Sequence, residues 1–141
     1  MSDATGQATK IKPGTILPAE EKKFTAADLV MYGAATWDWH RLHYDTTFTE
    51  TMNLPAPVID GQIYGALFAK QAVSWLGPQA FVRRLDFRMR SMAFANDTLC
   101  TEGEVSETRS EENTDIIVLR QRLTSGERTI AEATTEVRLP Q

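Results

Sequence analysis

The chain changes its apolar rhythm once. Up to Gly77 the apolar residues cluster as they do on helices, and from Arg83 to Leu139 they alternate with polar ones. "KFTAADLVMYGAAT" opens on a capping box: Thr25 can accept from the backbone of Asp28 while Asp28 reaches back. Phe24 and Leu29 flank it as a hydrophobic staple, and a helix from about Ala26 to Thr36 is predicted. "DTTFTETMN" predicts a short helix ended by Asn53, and the two prolines of "LPAPVID" predict a loop. In "GQIYGALFAKQAVSWLG" apolar residues cover most of the helical circumference, which predicts a buried helix over about 61–76 stopped by Gly77-Pro78. Beyond it, Leu85, Phe87 and Met89 share one strand face and Arg84, Asp86, Arg88 and Arg90 the other. Leu99, Thr101, Gly103 and Val105 share a face, as do Ile117, Leu119, Gln121 and Leu123. "SGE" predicts a hairpin turn before a last strand in "RTIAEATTEVRL", and "SETRSEENT" reads as a charged connection.

The pattern predicts an α+β domain of the hot-dog type: one antiparallel sheet of four strands wrapped around one long buried helix. A length of 141 residues with 42% hydrophobic content suits one core. The expected organisation is a flexible tail at 1–12 and a single domain at 13–141. The formal charge of −4 argues against nucleic acid or an anionic membrane as main partner. The single cysteine, Cys100, and a polar N-terminus without an apolar signal core point to the cytoplasm. No apolar run approaches the roughly 20 residues needed to span a bilayer. A site in so small a fold is often completed by a second subunit, so an oligomer is expected.

Candidate chemistry centres on "TWDWHRLHYD", which holds both histidines, His40 and His43, with Asp38 two residues before the first. As a metal set, Asp38, His40 and His43 lack a further His or Cys nearby to close a site, and no metal is expected. Acid–base work asks less. Hydration of an enoyl thioester needs a group to hold and deprotonate a water, a proton for the α-carbon, and donors for the enolate oxygen. A His and an Asp straddling one water meet the first two needs. The start of the buried helix at Gly61 meets the third through its free N–H groups and dipole.

The same segment resembles the signature of MaoC-like, (R)-specific enoyl-CoA hydratases and dehydratases. That signature runs Ser/Thr-Gly-Asp-x-Asn-Pro-aliphatic-His and continues to Pro-aliphatic-Ala-His-Gly-Met. Thr36 to His43 align with its first part without gaps. From His43, Asp45 follows at two residues, Leu54 at eleven, Pro57 at fourteen and Gly61 at eighteen, as in the family. The variant His-Arg-aliphatic-His-Tyr-Asp of mesaconyl-type hydratases is similar too, and the short form resembles hot-dog subunits of steroid side-chain hydratases that work beside a partner chain. The resemblance implies Asp38, His43 and Gly61 as catalytic groups, an acyl-CoA thioester as substrate and no separate cofactor. It implies a homodimer or higher homo-oligomer, or a heteromer with another hot-dog or CoA-binding chain.

The sequence departs from the family pattern at several positions. Trp37 replaces Gly, His40 replaces Asn, Arg41 replaces Pro, and Ile59-Asp60-Gly61-Gln62 replaces Ala-His-Gly-Met. Asp60 either caps the helix, turned away from the thioester oxygen, or is a second acid–base group. Trp37 and Trp39 are either walls of an acyl pocket or core and interface aromatics. Tyr64 faces the acyl chain or packs in the core, and His40 lines the site or sits on an exposed loop. Arg84 and Arg88, among four arginines in eight residues, contact CoA phosphates or form a solvated strand face. The competing functions are a non-catalytic acyl-CoA-binding subunit and a thioesterase on the same fold.

Overall fold

The computed structural model describes residues 11–141, so the tail expected at 1–12 lies almost wholly outside the described residues. The elements are β1 (Glu20–Lys23), α1 (Ala26–Thr36), a 3-10 turn (Arg41–His43), α2 (Thr46–Thr51), α3 (Gln62–Leu76), β2 (Phe81–Met89), β3 (Thr98–Glu111), β4 (Thr114–Ser125) and β5 (Arg128–Pro140). One antiparallel sheet runs in the order β1-β3-β4-β5-β2, and α3 packs on one face of it. This is the hot-dog architecture.

The local signals that predicted α1 are all made. Thr25 N–H donates to Asp28 Oδ2 at 2.8 Å and Asp28 N–H donates to Thr25 Oγ1 at 3.2 Å. Phe24 and Leu29 join the same core cluster. Asn53 ends the α2 segment with a φ of +57°.

Helix α3 buries Ile63, Tyr64, Leu67, Phe68, Gln71, Ala72 and Leu76. They meet Leu99, Val105, Ile117, Leu119, Leu123 and Val137 of the sheet. Two glutamines fasten helix to sheet inside this core. Gln121 Nε2 donates to Phe68 O and to Gln71 Oε1, both at 2.9 Å. Gln71 Nε2 donates to Pro18 O and Thr101 O, both at 3.0 Å, and Thr135 Oγ1 donates to Gln121 Oε1 at 2.6 Å. Each polar group is matched, so the network fixes the helix's height on the sheet without an orphaned donor.

Three expectations change. A fifth strand, β1, pairs its Glu20–Lys23 with Thr98–Thr101 of β3; it was missed because all four of its residues are charged. The "charged connection" is mostly strand: Ser106–Glu111 continues β3 past an irregularity at Val105/Glu107, and only Glu112 and Asn113 turn, both at positive φ. Finally, α3 is not covered on all sides in a single chain. Gln62, Ala66, Lys70, Val73 and Ser74 form an exposed stripe, because the sheet wraps it from one side only.

Candidate active site

The site is built by a chain of local caps. Helix α1 stops when Trp37 turns left-handed, φ +58°, and Asp38 N–H donates back to Gly33 O at 3.0 Å. Asp38 Oδ1 then accepts from His40 N–H at 3.2 Å, a short Asx turn. His40 Nδ1 accepts from Leu42 N–H at 3.1 Å and so caps the 3-10 turn that carries His43. Asp45 caps α2 through Phe48 N–H at 3.1 Å and pairs with Arg41 at 2.9 Å. The proline-rich loop is clipped onto this turn, with Val58 N–H donating to Leu42 O at 2.9 Å. Ile59 N–H donates to Ala93 O at 2.9 Å, which delivers Asp60 and Gly61 to the same place.

His43 Nδ1 lies 2.7 Å from Val58 O. A carbonyl can only accept, so Nδ1 carries the proton and Nε2 presents a lone pair in the neutral ring. Nε2 faces Asp38 Oδ2 at 3.8 Å. Asp60 is buried at 8% exposure. Its Oδ1 accepts from Gln62 N–H at 2.9 Å, and its Oδ2 is buried with no hydrogen-bond partner. Asp38, His43 and Asp60 each bring one ligand-type atom within 4.8 Å of the others. The convergent trio therefore contains Asp60 in place of His40. A divalent ion could use these three groups, and each is already oriented by a backbone hydrogen bond on its other atom.

Asp38 is held below the usual carboxylate range, first by the His40 N–H, next by the Asp60 carboxyl, and further by the charges of His43 and His40. The pit around the trio is lined by Leu29, Tyr32 and Gly33 as well. Burial, then the charges of Asp60 and Asp38, push the Tyr32 phenol upward, so it remains a protonated donor at neutral pH. No site motif marks Tyr32 and Gly33 in the sequence. Their signal was the spacing Leu29, Tyr32, Gly33, one face of α1 at i, i+3, i+4.

Gly33 has a steric reason to be glycine: a Cβ there would stand 2.9 Å from Asp38 O. Backbone cannot swing away as a side-chain tip can. Gly33→Ala is expected to cost about 1–3 kcal/mol of stability. It should also lower turnover by about tenfold or more, because Asp38 is displaced. Urea unfolding and initial rates measure the two effects.

Gly61 starts α3, and its N–H donates to nothing among the described residues. A Cβ on Gly61 would overlap the Met89 sulfur, so an exposed methionine of the sheet edge sits over the helix start. Trp37 is 82% exposed and stacks edge-on against Trp39, which stacks edge-on against Tyr44. The three form an aromatic ledge beside Asp38. Trp37 occupies the left-handed position where the resembled pattern has glycine, and a non-glycine residue there costs about 1–2 kcal/mol. Trp37→Gly is expected to raise stability by about 1 kcal/mol, read as a higher urea midpoint.

The remaining candidates do not join the trio. Tyr64 is buried in the core at 2% exposure, and its hydroxyl accepts from Ala93 N–H at 3.2 Å. His40 is exposed, and its ring stacks edge-on with Phe48 and His43. Leu85 and Phe87 pack toward the core, so Arg84 and Arg88 point to the opposite face of the sheet. There Arg84 pairs with Asp86 at 2.7 Å, and Arg88 stands opposite Glu132 on β5. Neighbouring strands alternate in charge across this face, with Arg122 pairing Glu102 at 3.2 Å and Arg90 pairing Glu132 at 3.0 Å. Such cross-strand pairs support the sheet.

The hot-dog fold brings His43, Asp38 and Asp60 together beside the start of α3. The family model described as "MaoC like domain" matches residues 8–127. The chain belongs to the MaoC-like hydratase/dehydratase family. A search of curated proteins returns no match. Among solved structures, the chain is similar to the unliganded R-hydratase PhaJ1 from Pseudomonas aeruginosa, with TM-score 0.82 and 19% identity, covering 95% of this chain and 85% of that one. It is similar to the (R)-hydratase from A. caviae involved in PHA biosynthesis, with TM-score 0.80 and 22% identity over 92% and 98%. A chain of the ChsH1-ChsH2 complex from Mycobacterium tuberculosis gives TM-score 0.75 and 20% identity over 91% and 98%. At these identities the structures establish the shared fold. No described helix is long and apolar enough to cross a membrane.

Proposed function

We propose that the chain adds water reversibly across a 2-enoyl-CoA and removes it from a 3-hydroxyacyl-CoA. The observation that carries this is the His43 Nε2 lone pair facing Asp38 Oδ2 at 3.8 Å, a gap that lets both groups hold one water. His43 takes a proton from that water as its oxygen attacks the β-carbon. The electron pair moves to the thioester oxygen, where the Gly61 N–H stabilises the enolate. Asp38 holds the water, receives from His43 the proton that His43 took, and passes it to the α-carbon, so both groups end as they began. Trp37 and Trp39 wall the acyl end, and the thioester needs no further cofactor. Arg84 or Arg88 reaches CoA phosphates only if a second subunit brings the substrate over the sheet's outer face. The exposed stripe of α3 favours at least a dimer, and we place the reaction in the cytoplasm.

A second reading, the acyl-CoA-binding subunit of a heteromeric hydratase, is favoured by the exposed Trp37, Trp39 and Tyr44 beside the site. An enoyl-CoA panel followed by loss of enoyl absorbance separates the two. The enzyme consumes substrate alone, whereas the subunit binds crotonyl-CoA without turning it over until its partner is added. Thiol release, read with Ellman's reagent, would instead mark a thioesterase.

A further inference from the structure

We propose that Asp38, His43 and Asp60 form a binding site for a divalent cation of the zinc type. The site stands apart from the proposed reaction, and only the effect of its occupancy on turnover rests on the dyad reading above. As sequence neighbours, Asp38, His40 and His43 lack a further ligand to close a set. The fold supplies one in Asp60, carried in by the loop clips at Val58 and Ile59. One ligand-type atom from each of Asp38, His43 and Asp60 lies within 4.8 Å of the others, and His43 Nε2 stands 3.8 Å from Asp38 Oδ2. Ligand atoms about 2.0–2.1 Å from a tetrahedral zinc stand about 3.3 Å apart, so small side-chain rotations close the trio on one ion.

Two features separate this trio from a chance meeting of acidic groups. The first is the state of Asp60, which lines the pit at 8% exposure. Its Oδ1 is engaged by the Gln62 N–H, and its buried Oδ2 has no hydrogen-bond partner. The Tyr32 phenol lines the same pit and makes no hydrogen bond to that oxygen. A buried oxygen left without a donor calls for a ligand. The second feature is orientation. Backbone groups fix each ligand from behind: His40 N–H holds Asp38 Oδ1, Gln62 N–H holds Asp60 Oδ1, and Val58 O takes the His43 Nδ1 proton. Outer partners of this kind aim metal ligands and set the tautomer, here with the Nε2 lone pair facing the carboxyls. No lysine or arginine lines the pit, so no side-chain cation there competes for the two carboxylates. One imidazole with two carboxylate oxygens suits zinc rather than a thiolate-seeking ion. The 37% exposed Asp38 side chain opens the entry path and leaves room for water on the ion. A bound ion takes the His43 lone pair and the place of the water that His43 and Asp38 would share, so occupancy blocks the dyad.

Calorimetric titration of the purified, metal-free, tag-free chain with Zn2+ is expected to show a single ion bound per chain. Loss of a group that only orients a ligand weakens metal binding about 10–100-fold, so Asp60→Asn, which removes a ligand's charge and keeps the Gln62 cap, is expected to weaken Zn2+ about 100-fold. His40→Asn keeps a side-chain acceptor for the 3-10 turn and is expected to bind Zn2+ as the wild type does, because His40 is outside the trio. Melting curves check that both variants fold. Zinc-edge X-ray absorption of the wild-type complex is expected to show an imidazole together with oxygens at about 2.0 Å, and it decides the matter even where a variant does not fold. Saturating Zn2+ is expected to stop crotonyl-CoA turnover, and chelation to restore it. A chain that binds Zn2+ in this way but never hydrates an enoyl-CoA supports the site and counts against the hydratase reading alone. No binding heat, an all-oxygen shell around the zinc, or undiminished binding by folded Asp60→Asn would overturn the inference.

Discussion

His43→Ala and Asp38→Asn are each expected to lower enoyl-CoA turnover by about 10²-fold or more while the fold survives. His43 is half-buried, and the only hydrogen bond of its ring among the described residues goes to Val58 O. Removing the imidazole leaves the clip between Val58 N–H and Leu42 O in place. Asn at position 38 keeps an oxygen for the His40 N–H, so the turn can still form, but it supplies neither a charge nor a carboxyl proton. The two losses should combine to much less than their product, because both groups hold the same water. Steady-state rates on crotonyl-CoA, with circular dichroism and melting as controls for folding, measure this.

The second large effect concerns stability. Phe68→Ala is expected to cost about 3–5 kcal/mol, read as a loss of urea midpoint with an unchanged slope. Phe68 is fully buried at 0% exposure, packs beside Phe87, and its carbonyl accepts from Gln121. A cavity there loosens the contact of α3 with the sheet, and with it the helix start that holds Gly61. Gly65 reports the same closeness of helix and sheet: a Cβ there would stand 2.9 Å from the Phe87 ring.

What could be read from the sequence was what short-range physics decides. The capping box at Thr25 and Asp28, the long apolar helix and the hairpin at Gly126 each depend on neighbours within a few residues, and each is present. The strand β1 was invisible because "EEKK" has no apolar alternation; its pairing comes from the open edge of β3, nearly 80 residues away. The end of β3 was hidden for the same reason, since its charged residues are held by the partner strand rather than by burial.

The site shows the same division. Asp38 and His43 lie on one short turn, so their meeting was legible. The approach of Asp60 depends on loop clips to Leu42 and Ala93, which no local pattern announces. The apparent pairing of the two histidines was a feature of spacing: His40 spends its Nδ1 on the 3-10 cap. The mismatch at Trp37 carried real information, because the position demands a left-handed backbone that glycine accepts without strain and tryptophan does not.

The most direct test of the central claim follows both the enoyl absorbance and the product of the purified chain incubated with crotonyl-CoA. Loss of absorbance without thiol release, and a 3-hydroxybutyryl-CoA product of the (R) hand, are expected. Unchanged absorbance by the chain alone, or free CoA in place of the hydroxyacyl thioester, would contradict it.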